Sequence, residues 1–212
     1  MSLDSILFAD QLVKDDLLMI IDAKIPTNIL LHGSNGTGKT MIANQIAKDL
    51  GLSDCVNCSF DPTTFNVSQL VNTLNIQKLD TGLTGIIIID EVDRMKPEKQ
   101  YELQHFVDTY CTDTDDKSAI CSVILTTNNL KSVIPALVSR CTEYHIFGPT
   151  PEQLQFVFMS RLKESSVPIT PLNALGLLKT VLGHGCTKLS YRDVAMLFTK
   201  TVYGLKKTKA NW

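Results

Sequence analysis

Apolar residues along the first two thirds of the chain follow two alternating patterns, one typical of helices and one of buried strands. Amphipathic, helix-period stripes cover 10–23, 39–50, 66–76 and 96–110. Short apolar runs of strand length cover 28–33, 55–60, 85–90 and 122–128. Strands joined through helices need crossover connections, so the alternation predicts an α/β fold with a mostly parallel sheet flanked by helices.

The pattern changes after "FGPTP" at 147–151, where the strand signals stop and only helical stripes continue. These stripes cover 151–164, 171–183 and 190–204. Two prolines at the change predict a linker. We therefore divide the chain into an α/β domain over 1–148, a small three-helix domain over 151–204, and a basic tail over 205–212.

Composition narrows the function classes without naming a partner. The 212 residues are 44% hydrophobic and 20% charged, which is typical of a globular protein. A formal net charge of −2 gives no chain-wide basic field, so a nucleic-acid contact would need a local patch or several subunits together. The longest apolar runs, at 17–21 and 85–89, are too short to span a bilayer, which predicts no membrane partner.

Six cysteines occur without a signal-peptide pattern, which favours a reduced, cytoplasmic compartment. The pair Cys55 and Cys58, in "CVNC", has the spacing of half a zinc site. No second pair of cysteines or histidines accompanies it, and a structural zinc needs about four ligands. A buried strand is therefore the favoured interpretation of this segment.

The octapeptide "GSNGTGKT" at 33–40 fits the phosphate-loop pattern G-x-x-x-x-G-K-[ST], between a predicted strand and a predicted helix. Glycines let successive backbone N–H groups face phosphates at a helix N-terminus. Lys39 is expected to reach the β- and γ-phosphates of ATP, and Thr40 to place its hydroxyl on Mg²⁺. The predicted nucleotide-binding residues are Gly33, Ser34, Asn35, Gly36, Thr37, Gly38, Lys39, Thr40 and Met41.

Polar residues end the next two apolar runs, at the edge where ligands of open α/β sheets collect. In "GIIIIDEVDRM", Asp90 is placed to hold the metal's hydration shell, and Glu91 to orient and polarise a water for attack on the γ-phosphate. In "VILTTNNL", an asparagine amide could position the same water. The residues alone leave Asn128 and Asn129 both open.

The order of these motifs, followed by "LVSRC" and then "SYRD" in the last helical segment, resembles the AAA+ ATPases. It is most similar to the clamp-loader subunits of cellular and phage replication machinery. The resemblance implies that Asn128 is the first sensor and that Arg192 is the second, although "LSYRD" departs from the family's usual form. It also implies a small three-helix lid over the nucleotide.

Arg140, in "LVSRC", has no obvious partner nearby in the sequence. From the residues alone, a surface ion pair is the ordinary role of such an arginine. The resemblance implies instead that it acts on the γ-phosphate of a neighbouring subunit, which would explain an absent local partner.

The resemblance further implies a ring or spiral of AAA+ subunits that holds a sliding clamp around primer–template DNA, in the cytoplasm or, for a phage protein, the host cytoplasm. Two departures stand out. Gln104 and His105 occupy helix positions where the family favours arginines. The 212 residues also end before a third, collar-forming domain could be built, so the chain is expected to be either a fragment or a compact member whose collar contacts are supplied elsewhere.

Two other functions use the same residues. A helicase-loader or initiator-type AAA+ ATPase would share the loop, the acidic box and the sensors, and the "SRC" triplet favours the clamp loader over it. A nucleotide-gated interaction module would bind ATP without hydrolysing it. The presence of both Glu91 and Asn128 favours hydrolysis over that alternative.

Overall fold

The computed structural model describes residues 2–24, 27–50, 66–68, 70–72, 85–112, 121–164 and 190–209. The chain divides into two compact units. The first contains Met1–Ser34 and Gly38–Ile146, and the second contains Asn35–Thr37 and Phe147–Trp212. Within the described residues, no helix is long and apolar enough to cross a membrane.

Within the described residues, the first unit is built on a parallel sheet of four strands, and its parallel strand direction is the one that the alternating pattern predicts. Its strands are β1 (Ile29–His32), β2 (Gly85–Ile89), β3 (Cys121–Thr127) and β4 (Thr142–His145). Their spatial order is β2-β3-β1-β4, and every neighbouring pair is parallel. The carboxyl ends of β1, β2 and β3 therefore meet at one edge, where each strand is followed by a polar motif.

Helices cover both faces of this sheet. They are α1 (Gln11–Ala23), α2 (Lys39–Asp49), α3 (Pro97–Tyr110) and the short α4 (Pro135–Val138). Asp10 caps α1 by accepting a hydrogen bond from the Leu12 N–H at 2.9 Å. Pro97 is the first residue of α3. The N–H at that position makes no hydrogen bond within a helix, so proline, which lacks it, costs no helical bond there. The first three helices match the predicted segments, and α4 is an addition to them.

The isoleucine run of β2 is explained by burial on both faces. Ile87 and Ile89 belong to the core that includes Phe106 of α3, while Ile88 belongs to the opposite core with Ile46 of α2. Successive strand residues point to opposite faces, so a strand covered on both sides has no polar position. Each buried isoleucine stabilises the unit by about 1.5–3 kcal/mol.

Strand β4 was not predicted, because its sequence "TEYH" contains only one buried residue, Tyr144. In the described part of the chain it is an edge strand that pairs only with β1, so most of its side chains meet solvent. Short 3₁₀ helices at Leu3–Ser5, Val92–Arg94 and Leu130–Ser132 are also additions to the predicted pattern. Two predicted segments fall partly or wholly outside the described residues. Of the helix predicted over 66–76, residues 67–68 and 70–72 are helical, and the strand predicted over 55–60 is not described.

The second unit contains α5 (Pro151–Glu164) and α6 (Tyr191–Lys209), both predicted. Leu154, Phe158 and Leu162 of α5 form its buried core with Val194 of α6. The predicted helix over 171–183 lies outside the described residues. Helix α6 continues into the segment predicted as a basic tail.

Candidate nucleotide-binding site

The loop between β1 and α2 has a backbone that demands glycine at two positions. Gly33 has φ 149°, and an added Cβ would lie 2.3 Å from the Ile146 carbonyl oxygen. Gly36 has φ 78°, and an added Cβ would lie 2.5 Å from the Ser190 side chain. Any other residue would clash or be strained there. These two glycines of the predicted phosphate loop are thus required by its shape.

Lys39 begins α2 and turns its side chain back over the loop. Only 6% of the residue is exposed. Its ammonium group donates to the carbonyl oxygens of Gly33 at 3.0 Å and Ser34 at 2.8 Å, and to Asn128 Oδ1 at 2.8 Å. Burial lowers the pKa of Lys39, and nearby carboxylates, led by Asp90, oppose that shift. The three acceptors hold the Lys39 amino group over the loop.

Thr40 and Asp90 offer the oxygen ligands that Mg²⁺ prefers. The Thr40 hydroxyl donates to Asp90, with distances of 2.8 Å to Oδ1 and 3.0 Å to Oδ2. Among the described residues no cluster of three His, Cys, Asp or Glu side chains could hold a metal by itself. Mg²⁺ is usually held by one or two protein oxygens together with phosphates, so this donor set fits it.

Thr126, at the end of β3, links the two acidic residues. Its hydroxyl donates to Asp90 Oδ1 and accepts a hydrogen bond from the Glu91 N–H at 3.0 Å. Glu91 has a left-handed backbone, with φ 55° and ψ 51°, which is uncommon for a residue with a side chain. Strained backbone of this kind is concentrated at functional sites. The threonine thus fixes the Asp90 carboxylate and the Glu91 backbone relative to the sheet edge.

The Glu91 side chain contacts two residues. Its Oε2 pairs with Arg94 at 2.9 Å, and its Oε1 lies 3.5 Å from Asn128 Nδ2. The structure therefore brings the predicted Lys39, Glu91 and Asn128 together. The ion pair between Arg94 and Glu91 was not predicted, although Arg94 lies within the acidic motif "DEVDRM".

Asn128 and Asn129 differ in their surroundings. The Asn128 amide contacts Lys39 and Glu91, whereas Asn129 Nδ2 donates to Ser132 Oγ at 2.7 Å. Asp93 Oδ1 holds the turn by accepting from Thr127 Oγ1 at 2.9 Å and from the Asn128 N–H at 3.2 Å. Asp93 was another missed residue, and its signal was the third acidic position of "DEVD".

Arg140 has a partner on its own chain, so the expectation that none would be found is wrong. Its Nε donates to Asp108 Oδ1, and its Nη2 donates to Asp108 Oδ2 at 2.9 Å. The hydrogen bonds lower the pKa of Asp108 and raise that of Arg140. Sequence did not reveal the pair because the residues are 32 positions apart. Within the described residues, no hydrogen bond joins Arg140 to the phosphate loop.

Arg192 is an exposed residue in the first turn of α6, in the second unit. The preceding Tyr191 N–H donates to the Gly36 carbonyl at 3.1 Å. Ser190 and Asp193 cap the helix reciprocally: the Ser190 N–H donates to Asp193 Oδ2 at 2.8 Å, and the Asp193 N–H donates to Ser190 Oγ at 3.3 Å. This reciprocal capping explains why "SYRD" has a serine and an aspartate three positions apart.

Comparisons with known proteins agree with this geometry. A model of the ATPase family associated with various cellular activities (AAA) matches residues 29–149. The chain is 36% identical over 131 residues to the sliding-clamp-loader large subunit of Enterobacteria phage T4, covering 61% of this chain and 39% of that protein. It is 30% identical over 178 residues to replication factor C subunit 5 of Mus musculus, covering 76% and 49%.

A solved structure of the Thermotoga maritima RuvB Holliday junction branch migration motor superposes with a TM-score of 0.74 at 18% identity. The match covers 95% of this chain and 64% of that one, and it shows the fold. The chain belongs to the AAA family of ATPases. It spans less than half the length of the two curated relatives named above.

Proposed function

We propose that the chain is an ATP-hydrolysing AAA+ subunit of a DNA sliding-clamp loader. The observation that supports hydrolysis is the contact of Lys39, Glu91 and Asn128 at the sheet edge, beside Asp90 and Thr40. The names of two of its relatives, a sliding-clamp-loader subunit and a replication factor C subunit, support the choice of clamp loading.

Each of these side chains has a separate task in the proposed reaction. Lys39 binds the β- and γ-phosphates, and Thr40 and Asp90 hold Mg²⁺, which when bound neutralises charge on the phosphates. Asn128 positions the attacking water, and Glu91 accepts its proton. The water oxygen bonds to the γ-phosphorus while the bond to the bridging oxygen breaks, releasing ADP and phosphate.

Two arginines complete the proposed site. Arg192 acts as the second sensor, contacting the γ-phosphate of the nucleotide on its own chain. Arg140 acts on the nucleotide of the adjoining AAA+ subunit in a ring or spiral, where its guanidinium stabilises charge on the γ-phosphate. The assembly holds a sliding clamp open on primer–template DNA while ATP is bound.

Phosphate release with clamp and primer–template DNA present tests the proposal. Glu91→Gln keeps the size of the side chain but cannot accept the proton, so we expect turnover to fall by about 10²–10⁴ with ATP affinity little changed. Glu98→Gln, which alters an exposed carboxylate of α3, is the control and should keep full turnover.

Three results would contradict the proposal in different ways. A parent chain that binds ATP without releasing phosphate under any of these conditions would be a nucleotide-gated interaction module. Equal turnover in Glu91→Gln and the parent would remove Glu91 from the chemistry. Stimulation by a replicative helicase instead of the clamp would make the protein a helicase loader.

A further inference from the structure

The surroundings of Arg140 show how its guanidinium is held. Asp108, on the last turn of α3, accepts hydrogen bonds from Nε and Nη2, which together form one edge of the guanidinium. From the other side, Nη1 donates to the Ala136 carbonyl oxygen of α4 at 2.5 Å. The planar group is therefore fixed from two helices.

The same contacts leave part of the guanidinium available. Arginine has five N–H groups, and the bonds to Asp108 and Ala136 use three of them. Ser139 Oγ lies 3.4 Å from Nη1, at the long end of hydrogen-bond distances. At the end formed by Nη1 and Nη2, the second N–H of Nη2 has no acceptor among the described residues, and it could bind a phosphate oxygen.

Asp108 is itself held in place. Gln104, one turn earlier on α3, donates from Nε2 to Asp108 Oδ2 at 2.7 Å. The neighbouring Phe106 and Val107 are fully buried in the core beneath the sheet. The carboxylate thus stands on a helix that cannot shift without disturbing that core.

We propose that Asp108, supported by Gln104, is a positioning residue that presents the free end of Arg140 to a phosphate on an adjoining subunit. This inference rests on the proposed function of Arg140. A free arginine side chain samples many rotamers and loses that freedom on binding. Asp108 removes most of this freedom before assembly, so less ordering is required when the phosphate is met.

An alternative role for the same pair is sequestration, in which Asp108 competes with the phosphate for the guanidinium. The geometry favours positioning, because Asp108 occupies the Nε edge and leaves the end of the group available. The two roles predict opposite effects on turnover, so one experiment separates them.

The experiment mixes two full-length variants so that only one kind of site can work. The acceptor is Arg140→Ala, which keeps its phosphate loop. The donor is Lys39→Ala, which keeps Arg140 but cannot use its own ATP. Steady-state phosphate release then reports Arg140 acting between chains. Native mass measurement confirms that donor and acceptor assemble together at each ratio.

The test substitution is placed in the donor. We expect Asp108→Asn to lower kcat of the mixture about tenfold without changing KM for ATP or the amount of mixed assembly, because misplaced catalytic groups cost rate. Gln104→Ala in the donor should lower kcat by a smaller factor, about two- to threefold, in the same direction. If Asp108→Asn fails to fold, the Gln104 variant decides.

The control donor carries Glu102→Gln, which removes an equal charge from α3. Glu102 pairs with Lys99 at 2.8 Å and has no recorded contact with Arg140. Its mixture should match the reference. This comparison separates a loss of charge on the helix from a loss of the contact with Arg140.

The outcomes are distinct. Unchanged kcat with Asp108→Asn, in an active and co-assembled mixture, would overturn the positioning role. Increased kcat would overturn it in favour of sequestration. A reference mixture that co-assembles and stays inactive would show that Arg140 does not act between chains, which removes the proposed role of Arg140 and with it the role of Asp108.

Discussion

The first unit has two polar regions that the same sheet supports in different ways. The nucleotide region lies at the carboxyl ends of β1, β2 and β3, where acidic, hydroxyl and amide groups surround the buried Lys39. The Arg140 region joins α3 to the turn after α4, and its two side chains are 31% and 38% exposed. In the nucleotide region several polar groups surround one cation, Lys39. The Arg140 region is a single, partly exposed ion pair of opposite charges.

This difference explains why the two regions have different tasks in the proposed assembly. Lys39 is shielded by its own chain and can meet only a ligand that enters the loop. Arg140 is fixed at the surface, with an N–H of Nη2 left for a partner. The contrast predicts that the first region controls binding within one chain and that the second controls rate between chains.

The largest expected effect is on the stabilisation of the chain by bound ATP, which the first region should control and the second should not. Mg·ATP at a hundredfold excess over its dissociation constant should stabilise the parent chain by about 2.7 kcal/mol. Lys39→Ala should lose most of that stabilisation, because the phosphates lose their buried counter-charge. Arg140→Ala should keep it. Thermal or denaturant unfolding with and without Mg·ATP measures all three proteins.

Equal loss of ATP stabilisation in both variants would break the comparison, since Arg140 would then contribute to binding on its own chain. Full stabilisation in Lys39→Ala would remove the phosphate loop from nucleotide binding. Each variant must first show unfolding without nucleotide close to that of the parent.

The sequence predicts the nucleotide region well for a topological reason. In a parallel sheet, residues that follow adjacent strands must meet at one edge, so Asp90, an asparagine after β3 and the loop after β1 could be brought together from motif order alone. The choice between Asn128 and Asn129 needed the family resemblance, because both follow β3. The structure shows contrasting contacts for the two amides.

The Arg140 region was not predictable in the same way. Asp108 lies within a helix whose sequence shows only an amphipathic stripe, and no motif marks it. The pair forms because α3 and the turn after α4 pack on the same face of the sheet. Strand β4 was missed for a related reason: an exposed edge strand has little apolar signal, and its place follows from its pairing with β1.

A smaller effect concerns Gln100, which lies between the two regions and is only 1% exposed. Its Nε2 donates to the carbonyl oxygens of Met95 at 3.1 Å and Ser132 at 2.9 Å, and its Oε1 accepts from the Ile134 N–H at 2.8 Å. Gln100→Ala leaves these buried groups without partners, which should cost about 1–3 kcal/mol of unfolding free energy.

Gln104→Ala is the matched control for stability, since it removes a glutamine from the same helix at a partly exposed site with one side-chain bond, to Asp108. We expect about 0.5 kcal/mol or less from it in urea unfolding. Similar losses of unfolding free energy from both variants would show that the bonds of the buried Gln100 between the two regions contribute no more than a surface contact does.

The smallest effect is a pH dependence at the nucleotide end of the sheet. His32 of β1 and His145 of β4 are paired in register, and their rings stack with centroids 4.9 Å apart. Burial lowers the pKa of His32, as do His145 and Lys39, while Glu143 opposes the shift. The folded chain therefore disfavours protonated His32.

The unfolded chain binds that proton near pH 6.5, so it gains protons that the folded chain excludes as pH falls below this value. The free energy of unfolding should then be highest above about pH 7.5 and decline as pH falls through 6.5. His32→Gln should flatten this part of the profile, whereas His105→Gln, at an exposed position of α3, should retain the parent slope. Urea unfolding from pH 5.5 to 8 measures the three profiles. A slope that persists unchanged in His32→Gln would assign the dependence to groups other than His32.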